Sequence, residues 1–401
     1  MGGERHRAQV TALPTPGLML RLIREGSPVT RSDLIHLTGL ARSTVGQRVD
    51  ALIASGLVKE VGEGSSTGGR PPAVLAFDHG AGVILAADLG ATHSRIAVTD
   101  LVGTSLAETA ADLDISEGPG VVLDWLESTF DDLLSEAGRS KREVRGIGIG
   151  VPGPVEFATG RPVSPPIMPG WDGYPIPERF ETFEVPVLVD NDVNIMALGE
   201  YWSNWRDCEH LMFIKVGTGI GCGIMAGGAI HRGAEGAAGD IGHIRVTDDP
   251  TVVCSCGNVG CVEAIAGGGA LARQLADLGL DAASSRDVVR LARAGNPRAV
   301  HLVREAGRLL GEVLAAAVNL FNPSVIVIGG DVSHVHEQLF AGVREIVYQR
   351  SLPLAARHLR IVRSDLDDRA GIVGAAIMAI EHVFSPENVD AAIAAGMRTT
   401  G

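Results

Sequence analysis

Val83-Ile84-Leu85-Ala86-Ala87-Asp88-Leu89-Gly90-Ala91-Thr92 and Met212-Phe213-Ile214-Lys215-Val216-Gly217-Thr218-Gly219-Ile220-Gly221 are two versions of one pattern. Each is an apolar run of strand length that enters a turn holding glycine and threonine. Each has a returning partner, Arg95-Ile96-Ala97-Val98-Thr99 in the first half and Cys222-Gly223-Ile224-Met225 in the second. A helix–strand block then follows in both halves. The first runs from Gly120 to Ala137 and into Ile147-Gly148-Ile149-Gly150-Val151; the second runs from Ala299 to Leu320 and into Ser324-Val325-Ile326-Val327-Ile328-Gly329-Gly330. This duplication predicts two similar α/β lobes around a cleft.

The two turns have the chemistry of a phosphate cradle. A strand ends, backbone amides are free, and a threonine hydroxyl is at hand. The residues in question are Asp88, Gly90 and Thr92, then Gly217, Thr218 and Gly219, with Gly329 and Gly330 closing the late strand. Asp88 could hold Mg²⁺ through water. One Gly-Thr-Gly turn is weak evidence; a matched pair is stronger. Between them, Val187-Leu188-Val189 delivers Asp190-Asn191-Asp192-Val193-Asn194 into a helix. There Asp192 suits the carboxylate that takes a hydroxyl proton in phosphoryl transfer, and Asn191 suits a hydroxyl ligand. The plainer reading of Asp192 is a helix cap.

Cys254-Ser255-Cys256-Gly257-Asn258-Val259-Gly260-Cys261 holds three of the chain's five cysteines, downstream of Gly239-Asp240-Ile241-Gly242-His243. His243, Cys254, Cys256 and Cys261 make a complete tetrahedral zinc shell with no open position, hence a structural site. The competing reading is three buried, inert thiols. Gly257 and Gly260 supply the tight turns that a chelating loop needs. Asp240 and Glu263 flank the cluster. Together with Asn191 and Asp192 they offer three carboxylates and an amide, a set suited to a polyhydroxylated ligand such as a sugar.

The first 80 residues differ. Helical spacing predicts Pro16 to Glu25, a second helix opened by Thr30-Arg31-Ser32-Asp33 as a capping box and closed by Gly39, and a third from Ala41 to Ser55. Strands at 56–61 and 73–77 flank a glycine-rich turn. Helix, helix, turn, helix and hairpin make a winged helix-turn-helix. Its third helix would offer Arg42, Ser43, Thr44, Gln47 and Arg48 to base edges and phosphates, and the wing would carry Arg70 into a minor groove. A small helical protein-contact domain is the alternative.

Composition narrows the class. Apolar content of 45% and charged content of 20% are those of a soluble globular chain. No apolar run approaches the ~20 residues of a membrane helix. No apolar core follows Met1-Gly2-Gly3-Glu4-Arg5-His6-Arg7, so no secretory leader is expected. Few, clustered cysteines point to a reducing cytoplasm. Net charge is −14, yet residues 1–80 carry nine Lys and Arg against seven Asp and Glu. The acidic remainder would repel nucleic acid, so any DNA contact belongs to the N-terminal segment.

On these motifs, with Val151-Pro152-Gly153-Pro154-Val155 and Gly371-Ile372-Val373-Gly374-Ala375-Ala376, the chain resembles the ROK family of repressors and sugar kinases. The resemblance spans nearly the whole length. It implies a two-lobed, actin-like and hexokinase-like fold built on an RNase H-like repeat, behind a winged helix-turn-helix that marks the repressor branch. The implied domains are 1–80 (DNA-binding), 81–194 with 370–390 (first lobe), and 195–369 (second lobe, with the zinc site and dimer surface). Asn191, Asp192, Asp240, His243 and Glu263 would contact a sugar or sugar phosphate; His243, Cys254, Cys256 and Cys261 would bind zinc; Asp192 would be the catalytic base of a kinase. The expected function is a sugar-responsive repressor, a homodimer or homotetramer on operator DNA. The alternative is a sugar kinase of the glucose or N-acetyl-hexosamine type using ATP and Mg²⁺; a zinc-stabilised scaffold that binds no sugar is the third reading. Two positions depart from the kinase pattern: Asp240 stands where the family has Glu, and Asp331 follows Gly329-Gly330 where a third glycine is usual. The loop from Pro165 to Tyr174 would close over the ligand, with Trp171 and Tyr174 either stacking on a sugar ring or packing the lobe.

Overall fold

The computed structural model describes residues 15–26, 29–63 and 73–396. Arg70 and the rest of the wing tip lie outside the described residues.

The N-terminal unit holds helices Pro16–Glu25, Arg31–Thr38 and Arg42–Ala54 and strands Val29–Thr30, Val58–Glu63 and Ala73–Phe77. Ala73–Phe77 lies between the other two strands, antiparallel to both. This is the element order expected of a winged helix. Local chemistry sets its boundaries. Thr15 caps the first helix, with Pro16 at its first position. Thr30 and Asp33 form the reciprocal capping box, and Gly39, at φ 69°, ends the second helix. Met19, Leu20, Leu34, Val45, Val49, Leu52 and Leu75 bury the face common to the three helices and the sheet.

The rest of the chain forms two five-stranded sheets of one topology. In each, the earliest strand is central, Val83–Leu89 in one and His210–Val216 in the other. Two antiparallel strands lie to one side, Ser94–Thr99 and Ser105–Ala111, or Ile220–Ala226 and Ala229–Ile230. Two parallel strands lie to the other, Val144–Val151 and Val187–Asn191, or Val325–Gly329 and Arg360–Arg363. The repeat in the sequence is a repeat in the fold, and the α/β, two-lobed architecture follows from it.

Two helices join the sheets. Asp192–Asn204 packs Ile195 against Gly150 of the first sheet, and Val193 and Ala197 against Gly221 and Gly223 of the second. Ala370–Val383 returns to the first sheet, where its Ala375 carbonyl sits over Gly148. The helices cross with backbone nearly touching backbone. A Cβ on Gly199 would run into the Ala370 carbonyl, and one on Gly374 into the Ile195 carbonyl.

The N-terminal unit docks on the last two helices, Ala370–Val383 and Pro386–Ala394. Gly17 N donates to Asp390 Oδ1 (2.8 Å) of helix Pro386–Ala394. Arg24, its side chain 13% exposed, lies over the rings of Phe77 and Phe384 and donates to Glu381 Oε1 (2.9 Å). The two apolar cores are continuous, with Met19, Leu20, Ile377, Ile380, Phe384 and Val389 in one cluster. Among the described residues no helix is long and apolar enough to cross a membrane.

Gly374→Val is expected to lower unfolding free energy in urea by about 3 kcal/mol, since it forces two backbones apart. Gly46→Ala, at a helical site with nothing within 4 Å of the added methyl, is expected to raise it by up to about 1 kcal/mol.

Candidate functional site

Parallel strands direct their carboxyl ends into the crevice between the sheets, where α/β proteins place ligands. Asp88 sits at one such end, Asp192 opens the helix after Val187–Asn191, and Gly329-Gly330-Asp331 ends Val325–Gly329. Lys215, from the central strand of the second sheet, joins them. Its Nζ lies 2.5 Å from Asp192 Oδ2, and Asp192 is 4% exposed. Burial alone would lower the Lys215 pKa, but the charges of Asp192, Asp88 and Asp331 outweigh it and hold the ammonium above its ordinary value. Burial lifts the Asp88 carboxyl to about 7; Asp192 adds to this, while Lys215 and Arg95 oppose it. Asp88 also explains a glycine, because a Cβ on Gly371 would occupy its carboxylate.

The glycine turns differ from expectation. Gly90 N donates to His93 O (2.9 Å) and Gly217 N to Gly219 O (3.0 Å), so these two amides close their own turns. The carbonyls of Gly217 and Thr218 accept from the amides of Gly268 and Gly269 (2.8 and 2.9 Å). Thr92 and Thr218 are exposed. Gly330, at φ 84°, packs against Val216 and Gly217, and Asp331 Oδ2 accepts from Ser285 Oγ (2.6 Å).

Asn191, not Asp192, is the helix cap: its Oδ1 accepts from Val193 N (2.9 Å), and its Nδ2 donates to Gly153 O (3.0 Å). Glu263 Oε2 accepts from Ile220 N (2.8 Å) and lies where a Cβ on Gly219 would meet it. Asp240 is exposed, with Oδ1 3.8 Å from His243 Nε2. Two groups therefore form: Asp88, Asp192 and Lys215 in one, Asp240, His243 and Glu263 in the other. No hydrogen bond or ion pair among the described residues links them directly. The hairpin 210–226 carries Lys215 at one place and receives Glu263 at Ile220.

The second group rests on the cysteine loop. Cys254 Sγ lies 3.4 Å from His243 Nδ1, and Cys256 Sγ 3.8 Å from Cys261 Sγ. All four ligand atoms fall within 4.8 Å of one another. A tetrahedral ion with bonds of about 2.3 Å to sulfur spaces two sulfurs about 3.8 Å apart, so the residues fit a metal. Gly257 and Gly260 have φ of 86° and 80°, the turns the loop needs. Burial and the thiols of Cys256 and Cys254 push Cys261 up to about 12. Burial pushes Cys256 up too, but the Asn258 backbone NH and side-chain hydrogen bonds from Cys254, Cys261 and Asn258 bring it below its ordinary value. Without a cation the thiolates oppose one another; a divalent ion removes that opposition.

Trp171 packs the lobe. It is fully buried and its Nε1 donates to Ile115 O (3.1 Å); Tyr174 meets its ring edge-on at 6.1 Å. In the N-terminal unit, Arg42, Ser43 and Gln47 are exposed, and Thr44 and Arg48 half-buried, on helix Arg42–Ala54. Two residues escaped the sequence reading. Lys215 is a lone charge in an apolar strand, a signal that was visible. Arg232 gives no such signal; its Nε and Nη2 grip the buried Asp190 Oδ2 at 2.9 and 2.8 Å, and it lies 3.6 Å over the Phe157 ring.

Because Asp88 titrates near 7 in the folded chain, well above an ordinary Asp near 4, the folded state keeps a proton that the unfolded chain releases. Its contribution is full below pH about 4 and is lost as pH rises towards 7. Asp88→Asn is therefore expected to raise the urea midpoint by an amount that grows from pH 4.5 to pH 7 and then levels off. A variant equally or less stable than wild type at pH 8 would contradict this.

The sequence model of the ROK family matches residues 84–382. That of the transcriptional regulator DIP2311-like, C-terminal domain, matches residues 18–72. A putative xylose repressor of Caldicellulosiruptor sp. (strain Rt8B.4) is 34% identical over 385 residues, covering 92% of this chain and 96% of its own. The crystal structure of a ROK family transcriptional regulator, a homologue of the Escherichia coli MLC protein, has a TM-score of 0.80 at 26% identity, covering 95% of this chain and 98% of that one. A ROK family glucokinase from Streptomyces griseus, solved with glucose and AMPPNP, has a TM-score of 0.64 at 30% identity and covers 74% of this chain and 99% of its own. With the family match running over most of its length, the chain belongs to the ROK family.

Proposed function

We propose that this chain is a sugar-responsive transcriptional repressor that holds operator DNA with its winged helix and senses a sugar in the cleft. One observation carries the reading: helix Ala370–Val383 touches both. At its start Gly371 abuts Asp88 in the cleft, and at its end Glu381 and the adjoining Phe384 hold Arg24 of the winged helix. A ligand that changes how the lobes close moves this helix, and with it the DNA-binding unit.

On the DNA side, helix Arg42–Ala54 begins without a side-chain cap, so its first amides are available to a phosphate. Arg42, Ser43, Thr44, Gln47 and Arg48, with Arg70 from the wing, supply base and backbone contacts. On the sugar side, Asn191, Asp192, Asp240, His243 and Glu263 face a polyhydroxylated ligand. An aldose such as the xylose in the relative's name is the first candidate. Three thiolates and an imidazole are a zinc donor set, and a closed shell makes the zinc structural. With His243 Nδ1 on the metal, Nε2 stays on the Asp240 side, where a hydroxyl can reach it, so the metal fixes part of the sugar site. A cytoplasmic homodimer or homotetramer, divided at 1–80, 81–194 with 370–390, and 195–369, completes the proposal. The kinase alternative would use Asp192 as base, and the Lys215 ion pair argues against it.

Gel shifts with the DNA upstream of the gene test the reading across xylose, glucose and N-acetylglucosamine. Sequence-specific binding is expected, weakened at least about 10-fold by Gln47→Ala and relieved by one of the sugars; no specific binding at any sugar concentration would refute it. Arg24→Ala is expected to bind both DNA and sugar yet to lose most of the sugar-dependent release. Metal analysis is expected to find one zinc per chain, lost in Cys256→Ser together with the sugar response. A zinc-free Cys256→Ser that still responds would break the link between metal and sugar.

A further inference from the structure

A kinase of this fold needs a divalent ion and its nucleotide beside the carboxylates that end the central strands. The residues here do not fit that group. Lys215 Nζ already lies 2.5 Å from Asp192 Oδ2, with Asp88 and Asp331 as its next charges. The amides of Gly90 and Gly217 close their own turns. Asp331 follows the Gly330 turn, which lies against Val216 and Gly217, and adds a third negative charge around Lys215.

We propose that Lys215 is a tethered cation, filling the place of a divalent ion between Asp88 and Asp192 and so making this cleft one that holds a sugar without metal-bound nucleotide. The strand register fixes it there. Lys215 pairs with Gly221 on one side and Gly329 on the other, so its backbone cannot withdraw from the crevice. Its ammonium balances two carboxylates that would otherwise repel each other, as an ion would. Magnesium sheds water reluctantly and needs near-octahedral oxygen ligands; an ammonium already donating to Asp192 leaves it one ligand fewer. The same hydrogen bond engages one of the two oxygens that Asp192 would offer to a metal or a hydroxyl. Lys215 is thus a specificity-determining residue, and its role stands whether or not the chain binds DNA.

The test is Mn²⁺ binding to the full-length, zinc-loaded chain, read by electron paramagnetic resonance and by the shift of the thermal midpoint. Wild type is expected to bind no Mn²⁺ at the cleft. Lys215→Ala and the stem-preserving Lys215→Met are expected to bind one Mn²⁺ at least 10-fold more tightly than wild type, and to lose it when Asp192→Asn is added. Should the lysine variants fold poorly, recovery of folded protein by Mn²⁺, but not by NaCl of equal ionic strength, gives the same answer. Mn²⁺ binding by wild type that Asp192→Asn removes would overturn the proposal. So would lysine variants that gain neither binding nor stability from Mn²⁺.

Discussion

The crossing of helices Asp192–Asn204 and Ala370–Val383 is the constraint on which the rest depends. Gly199 and Gly374 let the two backbones approach until no side chain fits between them. That contact sets the spacing of the two sheets and thus the width of the cleft. It also aims both helices. Asp192 is delivered to the cleft from one, and Gly371 makes room for Asp88 from the other. Interfaces packed this closely shift between discrete arrangements more readily than they deform, which is the behaviour a sensor requires.

Charge and packing act together around the crossing. Three acids converge on Lys215, so the first sheet and the second are joined by an ion pair at Asp192. Arg232 makes a second such tie, from just beyond the second sheet to Asp190 at the end of the first. The cysteine loop acts at a third place. Its short following helix carries Glu263, whose carboxylate closes the turn after Gly219. The lobe contact and the cysteine loop therefore bear on one hairpin, 210–226, and Ala370–Val383 runs on from the crossing towards Arg24.

The legible parts of the sequence were those with local causes. Strand runs that end in turns, the Thr30–Asp33 capping box and the closeness of His243 to the three cysteines each depend on neighbours in the chain, and the structure has all three. The two-residue strand Val29–Thr30 is too short to show a period. Gly199, Gly371 and Gly374 look like weak points in helices until their partners, distant in sequence, are known. Trp171 and Tyr174 left two readings open, and only the tertiary position of Trp171, with its NH on Ile115 O, decides for packing. The use of the Gly90 and Gly217 amides within their turns depends on backbone detail that residue types do not encode. Lys215 was visible as a charge in a buried strand, but its meaning came only with Asp192 beside it.

Coupling between cleft and winged helix is the central claim, and coupling is reciprocal. The direct measurement is a thermodynamic cycle: operator affinity with and without saturating sugar, and sugar affinity with and without saturating operator. The account predicts the same factor in both directions, and a factor that collapses towards one in Arg24→Ala. Sugar affinity unchanged by bound operator, in a protein whose operator affinity falls with sugar, would place the effect outside this chain and contradict the account.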